Sequence, residues 1–182
     1  RKMPRHCSRG RKRDVTMTAH ITPSKPHGTS TVPPSKSMAH RMLICAALAQ
    51  GSSRIHNLDY SVDINATLGA LRRLGAVVEC DGNSATVAGI RPGAAPLKDN
   101  PADCAESGST LRFMIPLFAL AGQSVTLTGA PRLLQRPLGE YQRIFAQQNL
   151  PFSVSSTGVT VQGPLRSGEF TMAGNVSSQF MS

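Results

Sequence analysis

Two serines, a lysine and an arginine lie close together where an apolar helix is predicted to begin. Ser35, Lys36 and Ser37 follow two prolines, and Arg41 comes about one turn later. The hydroxyl of Ser35 or Ser37 can cap the helix, because the first turn leaves backbone N–H groups unpaired. Those N–H groups also form the positive end of the helix dipole, which favours a phosphate or carboxylate. With Lys36 as a mobile cation and Arg41 as a planar two-pronged donor, the pattern predicts an anion-binding site.

The elements after this helix start form a unit of four parts. The first helix is expected to end near Gly51, and a second helix is expected to have Asp63 as its N-cap and Gly75 as its C-cap. Asp81-Gly82-Asn83 is typical of a hairpin turn. The unit is therefore predicted to be helix, strand, helix and hairpin, with its strand at residues 53–58, its second helix at residues 64–74 and its hairpin strands at residues 76–79 and 85–88.

The same order of elements then recurs, which predicts a repeat. Ser107-Gly108-Ser109 opens a second apolar helix that ends at Gly122. It is followed by a strand at residues 124–128, a helix from about residue 138 to residue 148, and hairpin strands at residues 152–154 and 159–161. Glycines recur at matching places: Gly51, Gly82 and Gly89 correspond to Gly122, Gly158 and Gly163.

A third copy begins at residues 174–180, where Ser177 and Ser178 stand at the positions of the earlier serines. We expect an α/β fold with unit one at residues 31–91, unit two at residues 104–163 and the start of unit three at residues 170–182. If the units pack around a pseudo-threefold axis, their serine-rich helix starts converge at one end. Converging helix starts next to Lys36 and Arg41 would make a strong anion site.

The net charge of +10 is unevenly distributed along the chain. Seven of the twenty Lys and Arg residues lie among the first sixteen residues, against a single acid, Asp14. A segment of this composition cannot bury a core, so residues 1–17 are expected to form a disordered basic tail. The favoured interpretation is non-native sequence upstream of a start at Met17; a nucleic-acid-binding arm and a transit-like leader are the alternatives. The remaining chain is mildly basic, as expected for a protein that binds a small polyanion.

The cysteines and histidines suggest no metal or redox site. The four cysteines are widely separated and match no metal-binding or redox spacing, so we expect reduced thiols in a cytoplasmic protein. His20, His27, His40 and His56 have no partner spacing for a metal or a catalytic triad, and no role is assigned to them. No apolar run approaches the length of a membrane span.

Five segments, in order and with matching spacing, resemble the 5-enolpyruvylshikimate-3-phosphate synthase family. The resemblance covers about residues 18–182. The segments are Ser35-Lys36-Ser37 with Arg41, Asp63-Ile64 at the second helix, Glu106-Ser107-Gly108-Ser109-Thr110-Leu111-Arg112, Leu127-Thr128-Gly129-Ala130-Pro131-Arg132 with Arg136-Pro137-Leu138-Gly139, and Val176-Ser177-Ser178-Gln179-Phe180.

The resemblance implies transfer of the enolpyruvyl group of phosphoenolpyruvate to the 5-hydroxyl of shikimate 3-phosphate, in the shikimate pathway to aromatic amino acids. It implies no metal and no cofactor, and a reaction through a tetrahedral intermediate. The family folds as an α/β prism of two similar domains, each of three units, with the substrates between them. Residues 18–182 would then be an incomplete shikimate 3-phosphate-binding domain, inactive alone, and the C-terminal domain with the catalytic acidic residue would lie beyond this chain.

The resemblance also implies two overlapping ligand sets. Lys36 and Gln179 would contact both substrates. The remaining contacts to shikimate 3-phosphate would be Ser37, Arg41, Ser177 and Ser178, and the remaining contacts to phosphoenolpyruvate would be Gly108 and Arg136. Glu106 departs from the asparagine of many family members, and we expect it to pair with a nearby base, with Arg112 as the candidate.

Two other interpretations remain open at this point. Related enolpyruvyl transferases act on UDP-N-acetylglucosamine, but they typically have asparagine after the lysine, so Ser37 followed by Arg41 argues against them. A non-enzymatic nucleic-acid binder would use the basic tail. Its affinity would fall steeply with salt and would be lost on deletion of the residues before Met17.

Overall fold

The computed structural model describes residue 20, residues 22–23, residue 25, residues 27–90 and residues 101–182. Residues 33–182 form one compact unit. The predicted basic tail at residues 1–17 lies outside the described residues, so its interpretation stays a prediction. Residues 27–32 contain neither helix nor strand. Within the described part of the chain, no helix combines the length and the apolar character needed to cross a bilayer.

The first repeat unit has the predicted order of helix, strand, helix and hairpin. Its three strands form an antiparallel sheet in which β3 (Ser84–Ala88) lies in the middle, with Val78 of β2 (Val77–Asp81) opposite Val87 of β3. The turn of this hairpin contains Gly82 at a φ of 54°, a left-handed conformation that glycine adopts without strain. The elements are α1 (Lys36–Leu48), β1 (Ser52–Ile55), α2 (Val62–Leu74), β2 (Val77–Asp81) and β3 (Ser84–Ala88).

The second unit repeats this topology and adds two short elements that the sequence analysis missed. As in the first unit, the strand after the first helix pairs with the second hairpin strand, here β5 (Ser124–Thr128) with β7 (Val159–Gln162). The extra elements are β4 (Ala102–Asp103), which runs parallel to β5, and the four-residue helix α4 (Pro131–Leu134). The elements are β4 (Ala102–Asp103), α3 (Gly108–Leu120), β5 (Ser124–Thr128), α4 (Pro131–Leu134), α5 (Gly139–Gln147), β6 (Phe152–Val154) and β7 (Val159–Gln162).

One hydrophobic core joins the two units between their sheets and their helices. Leu43 of α1 and Leu71 of α2 are fully buried, as are Phe145 of α5 and Val161 of β7. The helix α3 is buried on most of its surface, and it packs against α2, β5, β7 and a 3-10 helix at Ser178–Phe180. A helix that is apolar on almost all sides must be central. The position of α3 therefore fixes where the helix starts of both units and the third serine turn lie.

Candidate functional site

Each of the three serine-rich helix starts that the repeat predicts is capped by a serine. Ser35 Oγ accepts a hydrogen bond from Met38 N at 3.3 Å, and Ser107 Oγ accepts one from Thr110 N at 3.1 Å. Ser177 caps the 3-10 helix in the same way, with its Oγ 3.3 Å from Gln179 N. Of the two candidate caps of α1, the structure therefore selects Ser35 over Ser37.

The predicted N-cap of α2 is wrong. The helix begins one residue before Asp63, and the Ser61 hydroxyl accepts from Ile64 N at 3.5 Å, so Ser61 is the cap. Asp63 instead lies in the first turn, where its carboxylate accepts a hydrogen bond from Lys36 Nζ at 2.8 Å. Both serine and aspartate favour the N-cap position, so residue type alone did not separate them. The structure gives Asp63 a different role, as the partner of the lysine at the start of α1.

Hydrogen bonds between the first turns of the helices hold the helix starts close together. The Lys36–Asp63 ion pair connects α1 to α2, and the Thr110 hydroxyl of α3 lies 3.3 Å from the Asp63 carbonyl oxygen of α2. Gln179 Nε2 of the 3-10 helix donates to Ser109 Oγ of α3 at 2.7 Å. The predicted convergence of the helix starts is therefore confirmed for the described residues. Their unpaired N–H groups and positive dipole ends point to a shared anion site.

Arg41 lies beside this group and is already held by several contacts. Its Nη1 donates to the Ser37 carbonyl oxygen at 2.9 Å, and its Nη2 donates to Ser182 Oγ at 2.6 Å. The guanidinium also stacks on the ring of Phe113, with 5.0 Å from its central carbon to the ring centroid. A guanidinium held in this way loses little further freedom when it binds an anion.

Gly108 and Arg136 lie in direct contact at the start of α3. A Cβ atom at Gly108 would lie 2.2 Å from Arg136 Nη1, so the guanidinium occupies the space that a side chain would need. Arg136 also lines a cleft of about 530 Å³ together with Glu106 and Arg132. Arg132 was not among the predicted site residues. Its basic side chain, in the Ala-Pro-Arg segment shortly before Arg136, could have identified it as a residue of this cleft.

The expected pairing of Glu106 with Arg112 is wrong. Arg112 lies in α3 with 7% of its surface exposed, and its Nη1 donates to Gln179 Oε1 at 2.6 Å. Its guanidinium also stacks on the Phe180 ring. Glu106 precedes the helix cap Ser107, so its exposed side chain lies in the cleft with Arg132 and Arg136, and it makes no ion pair within the described residues.

Arg112 connects the two groups of predicted ligand residues, a position that the sequence analysis did not assign to it. One group surrounds Lys36, Arg41 and the third serine turn, and the other consists of Gly108 and Arg136. Arg112 Nη1 binds Gln179 and also lies 3.3 Å from where a Cβ of Gly108 would be. Burial and, secondarily, repulsion from Arg136 lower the pKa of Arg112. An anion close to Arg112 and Arg136 would relieve that repulsion.

Three predicted site residues have exposed polar groups. Lys36, Ser37 and Ser178 are exposed, and within the described part of the chain neither hydroxyl makes a hydrogen bond. The hydrogen bond from Lys36 to Asp63 raises the pKa of Lys36, so the lysine stays fully charged at neutral pH. These groups can therefore turn to a ligand without first breaking a buried contact.

The stability of the protein is expected to fall as the pH drops below about 6.5, through His40. Burial lowers the pKa of His40 below its ordinary value of 6.5; attraction to Asp63 opposes this effect, and repulsion from Lys36 and Arg41 adds to it. The unfolded chain therefore takes up the proton first, so this contribution is full above about pH 6.5 and is lost as the pH falls towards the folded-state pKa.

Urea unfolding at a series of pH values measures this dependence. His40→Asn has no titrating ring and is expected to flatten the decrease in the free energy of unfolding below about pH 6.5. His56→Asn is a matched control, because the His56 side chain is exposed. An equal slope in wild type and His40→Asn would assign the pH dependence to other groups.

The fold places the chain in a class of proteins. The structure superimposes on EPSP synthase from Acinetobacter baumannii with a TM-score of 0.70 and 22% sequence identity, over 85% of this chain and 37% of that chain. Together with the repeated units and their converging helix starts, this similarity defines the α/β fold of the enolpyruvyl transferases.

Sequence comparison identifies the family within that class. The model of the family EPSP synthase (3-phosphoshikimate 1-carboxyvinyltransferase) matches residues 21–182, so the chain belongs to the EPSP synthase family. A 3-phosphoshikimate 1-carboxyvinyltransferase of Clostridium kluyveri is 44% identical over 163 residues, which are 88% of this chain and 38% of the relative. One from Clostridium perfringens strain SM101 is 42% identical over 167 residues, 89% of this chain and 38% of the relative. The chain thus spans 38% of the length of both relatives.

Proposed function

We propose that the helix starts of this chain bind shikimate 3-phosphate and form one wall of an active site that transfers an enolpyruvyl group. One observation carries the proposal. Three serine-capped helix starts are joined through first-turn side chains in one place, with Lys36 and Arg41 beside them. Such a place offers unpaired N–H groups, dipole ends and cations to the same ligand, and a phosphorylated, carboxylated ring needs all three.

The proposed contacts divide between the two substrates. The cleft lined by Arg136 suits the small phosphoenolpyruvate, because the missing side chain of Gly108 lets the Arg136 guanidinium lie against the start of α3, where an anion can meet the guanidinium and the helix N-terminus together. Gln179 lies between the groups and is proposed to contact both ligands, as is Lys36. The proposed contacts to shikimate 3-phosphate are Lys36, Ser37, Arg41, Ser177, Ser178 and Gln179.

The reaction proposed for the whole protein moves the enolpyruvyl group of phosphoenolpyruvate to the 5-hydroxyl of shikimate 3-phosphate, with release of phosphate. Donors held in place by Asp63, Gln179 and the helix caps would stabilise the charge of the tetrahedral intermediate without rearranging. Because the chain spans 38% of its relatives' length, we propose that a second domain supplies the catalytic acid and the remaining phosphoenolpyruvate contacts. These 182 residues alone are expected to bind shikimate 3-phosphate without turnover.

A thermal-shift titration of the chain with shikimate 3-phosphate tests the proposal. A ligand at 100 times its dissociation constant stabilises a folded protein by about 2.7 kcal/mol, which for this size corresponds to a rise of about 5–10 °C in Tm. Lys36→Ala and Arg41→Ala are each expected to weaken binding about tenfold or more, since each removes a charged donor.

Arg54→Ala is the matched control for loss of one positive charge. Arg54 is an exposed residue of β1 whose guanidinium pairs with Asp81 at 3.3 Å, and it takes no part in the proposed site. Arg54→Ala is expected to keep the wild-type shift. A folded wild-type chain whose Tm does not rise with shikimate 3-phosphate would refute the binding proposal. If Arg54→Ala and Arg41→Ala lose the rise in Tm equally, the binding is a nonspecific effect of charge.

A further inference from the structure

A buried chain of one imidazole and three hydroxyl groups runs beneath the helix starts. His40 Nδ1 of α1 lies 2.7 Å from Thr67 Oγ1 of α2, and Thr67 Oγ1 lies 2.7 Å from Thr110 Oγ1 of α3. Thr110 Oγ1 in turn donates to Ser107 Oγ, the cap of α3, at 2.7 Å. The four residues are 3% exposed or less, and they are four of the six buried polar residues in the described part of the chain. Buried polar groups are costly unless they are satisfied, so their concentration at this one place needs an explanation.

The number of protons favours one direction of the hydrogen bonds. Each hydroxyl has one proton to donate. The Thr110 hydroxyl can give its proton to Ser107 Oγ at 2.7 Å, to the Asp63 carbonyl oxygen at 3.3 Å or to Thr67 Oγ1 at 2.7 Å. Donation away from Thr67 supplies a proton to Ser107 Oγ or to the carbonyl oxygen, an atom that can only accept, and then Thr67 donates to Thr110 and His40 donates to Thr67. This assignment requires the neutral tautomer of His40 that carries its proton on Nδ1.

The hydrogen-bond chain ends at the Ser107 cap and at the Asp63 carbonyl oxygen, two features that position the helix starts for an anion. Ser107 Oγ accepts from both the backbone N–H and the hydroxyl of Thr110, which fixes the cap of α3. Thr110 also reaches the carbonyl oxygen of Asp63, whose carboxylate holds Lys36. The charged groups around His40 are Lys36 and Arg41 of α1 and Asp63 of α2.

We propose that His40 is a positioning residue that, through Thr67 and Thr110, holds the Ser107 cap and the Asp63 turn in the geometry that receives the anion. This inference rests on the proposed function, because the anion is taken to be shikimate 3-phosphate. A donor held in place before binding loses less freedom when the ligand arrives, so the chain contributes to affinity without touching the ligand.

Three variants of the full 182-residue chain test the inference. Thr67→Val removes the middle hydroxyl at nearly constant volume and is expected to weaken shikimate 3-phosphate binding about tenfold. His40→Asn puts an amide N–H near the position of Nδ1 and is expected to stay within about threefold of wild type. Thr160→Val is the control for the substitution itself, since it breaks a partly buried threonine pair, with Thr126 at 3.0 Å, on the second sheet.

Two readouts need no ligand and separate this inference from the proposed function. The ring ¹⁵N shifts of His40, at a pH where the ring is neutral, are expected to show the proton on Nδ1. Hydrogen exchange of the Thr110 amide is expected to speed up about tenfold in Thr67→Val relative to the Leu71 amide, which reports wider opening of α2. A proton on Nε2, or unchanged relative exchange, would overturn the inference whether or not the wild type binds.

The binding measurement decides the remaining cases. In one outcome, the wild type fails to bind shikimate 3-phosphate while the His40 tautomer and the Thr110 exchange are as expected. In that case the proposed function fails, and the structural role of the hydrogen-bond chain stands. If the wild type binds and Thr67→Val binds like Thr160→Val, the positioning role is refuted and the proposed function stands.

Discussion

Replacing Gly163 by alanine is expected to lower the free energy of unfolding by about 3 kcal/mol or more. A Cβ atom at this position would lie 1.6 Å from the carbonyl oxygen of Ala119 in the last turn of α3. The contact is with backbone, so no side-chain rotation relieves it, and the hairpin must move away from the helix. That oxygen also accepts hydrogen bonds from Gly122 N and Leu165 N, which such a movement would disturb.

Gly89 offers an internal replicate of this experiment in the first unit. A Cβ there would lie 1.7 Å from the carbonyl oxygen of Ala49, the C-cap of α1, so Gly89→Ala is expected to have a similar effect. Gly139→Ala is the control, because no atom beyond its chain neighbours and the adjacent backbone of α5 lies within 4 Å of the added methyl group. It is expected to be neutral or to stabilise α5 by up to about 1 kcal/mol. Urea unfolding measures all three variants, and a loss below about 1 kcal/mol in both Gly163→Ala and Gly89→Ala would contradict the close packing of helix and hairpin.

Tyr141→Ala is expected to cost about 3 kcal/mol of stability and to loosen the third serine turn. The Tyr141 ring is 6% exposed and meets the ring of Phe180 edge to face, with 5.0 Å between the centroids. Its hydroxyl donates to the Arg112 carbonyl oxygen at 2.7 Å. Truncation would remove the packing that seats Phe180, and it would leave a buried carbonyl oxygen without its partner. Since Phe180 follows Ser177, Ser178 and Gln179, shikimate 3-phosphate affinity should fall as well.

Tyr141→Phe separates the ring from the hydroxyl. It keeps the edge-to-face contact and is expected to cost only about 1 kcal/mol, with little change in ligand affinity. Urea unfolding and a shikimate 3-phosphate titration of both variants give the comparison. Equal destabilisation by Ala and Phe would assign the effect to the hydrogen bond, and the aromatic packing of the third serine turn would then be unimportant.

Most of the secondary structure could be predicted because its signals are local. Serine caps, the hairpin glycine Gly82 and the C-cap glycine Gly75 act within a few residues along the chain. The recurrence of these signals predicted the order of the main elements of the second unit correctly and matched Gly89 to Gly163. The structure adds that each of these glycines packs against the end of a helix. The two missed elements, β4 and α4, have two and four residues, which is too short for a period of two or 3.6 to be visible.

The candidate site was predicted in its residue types and only partly in its contacts. Lys36, Arg41, Gly108 and Gln179 lie at the helix starts or beside them, as their spacing indicated, and their roles towards a ligand stay predictions. No role could be assigned to His40 from the sequence, because no spacing or motif identifies Thr67 as its hydrogen-bond partner. Its contact with that residue spans 27 positions and depends on how α1 packs against α2.

The serine caps and the cations at the helix starts follow from the amino-acid sequence alone, because each depends on residues within one or two turns of each other. The repeat follows from the sequence as well, because these local signals recur in the same order. Tertiary packing decided which neighbour each polar side chain meets. Asp63 faces Lys36 instead of capping α2, and Arg112 faces Gln179, 67 positions away, instead of Glu106. The physical reason is that a helix presents several polar side chains at similar spacing. The angle and register at which α1, α2 and α3 pack decide which of these side chains meet across the helices. Arg112 becomes buried and must find a partner, whereas Asp63 meets Lys36 at the surface.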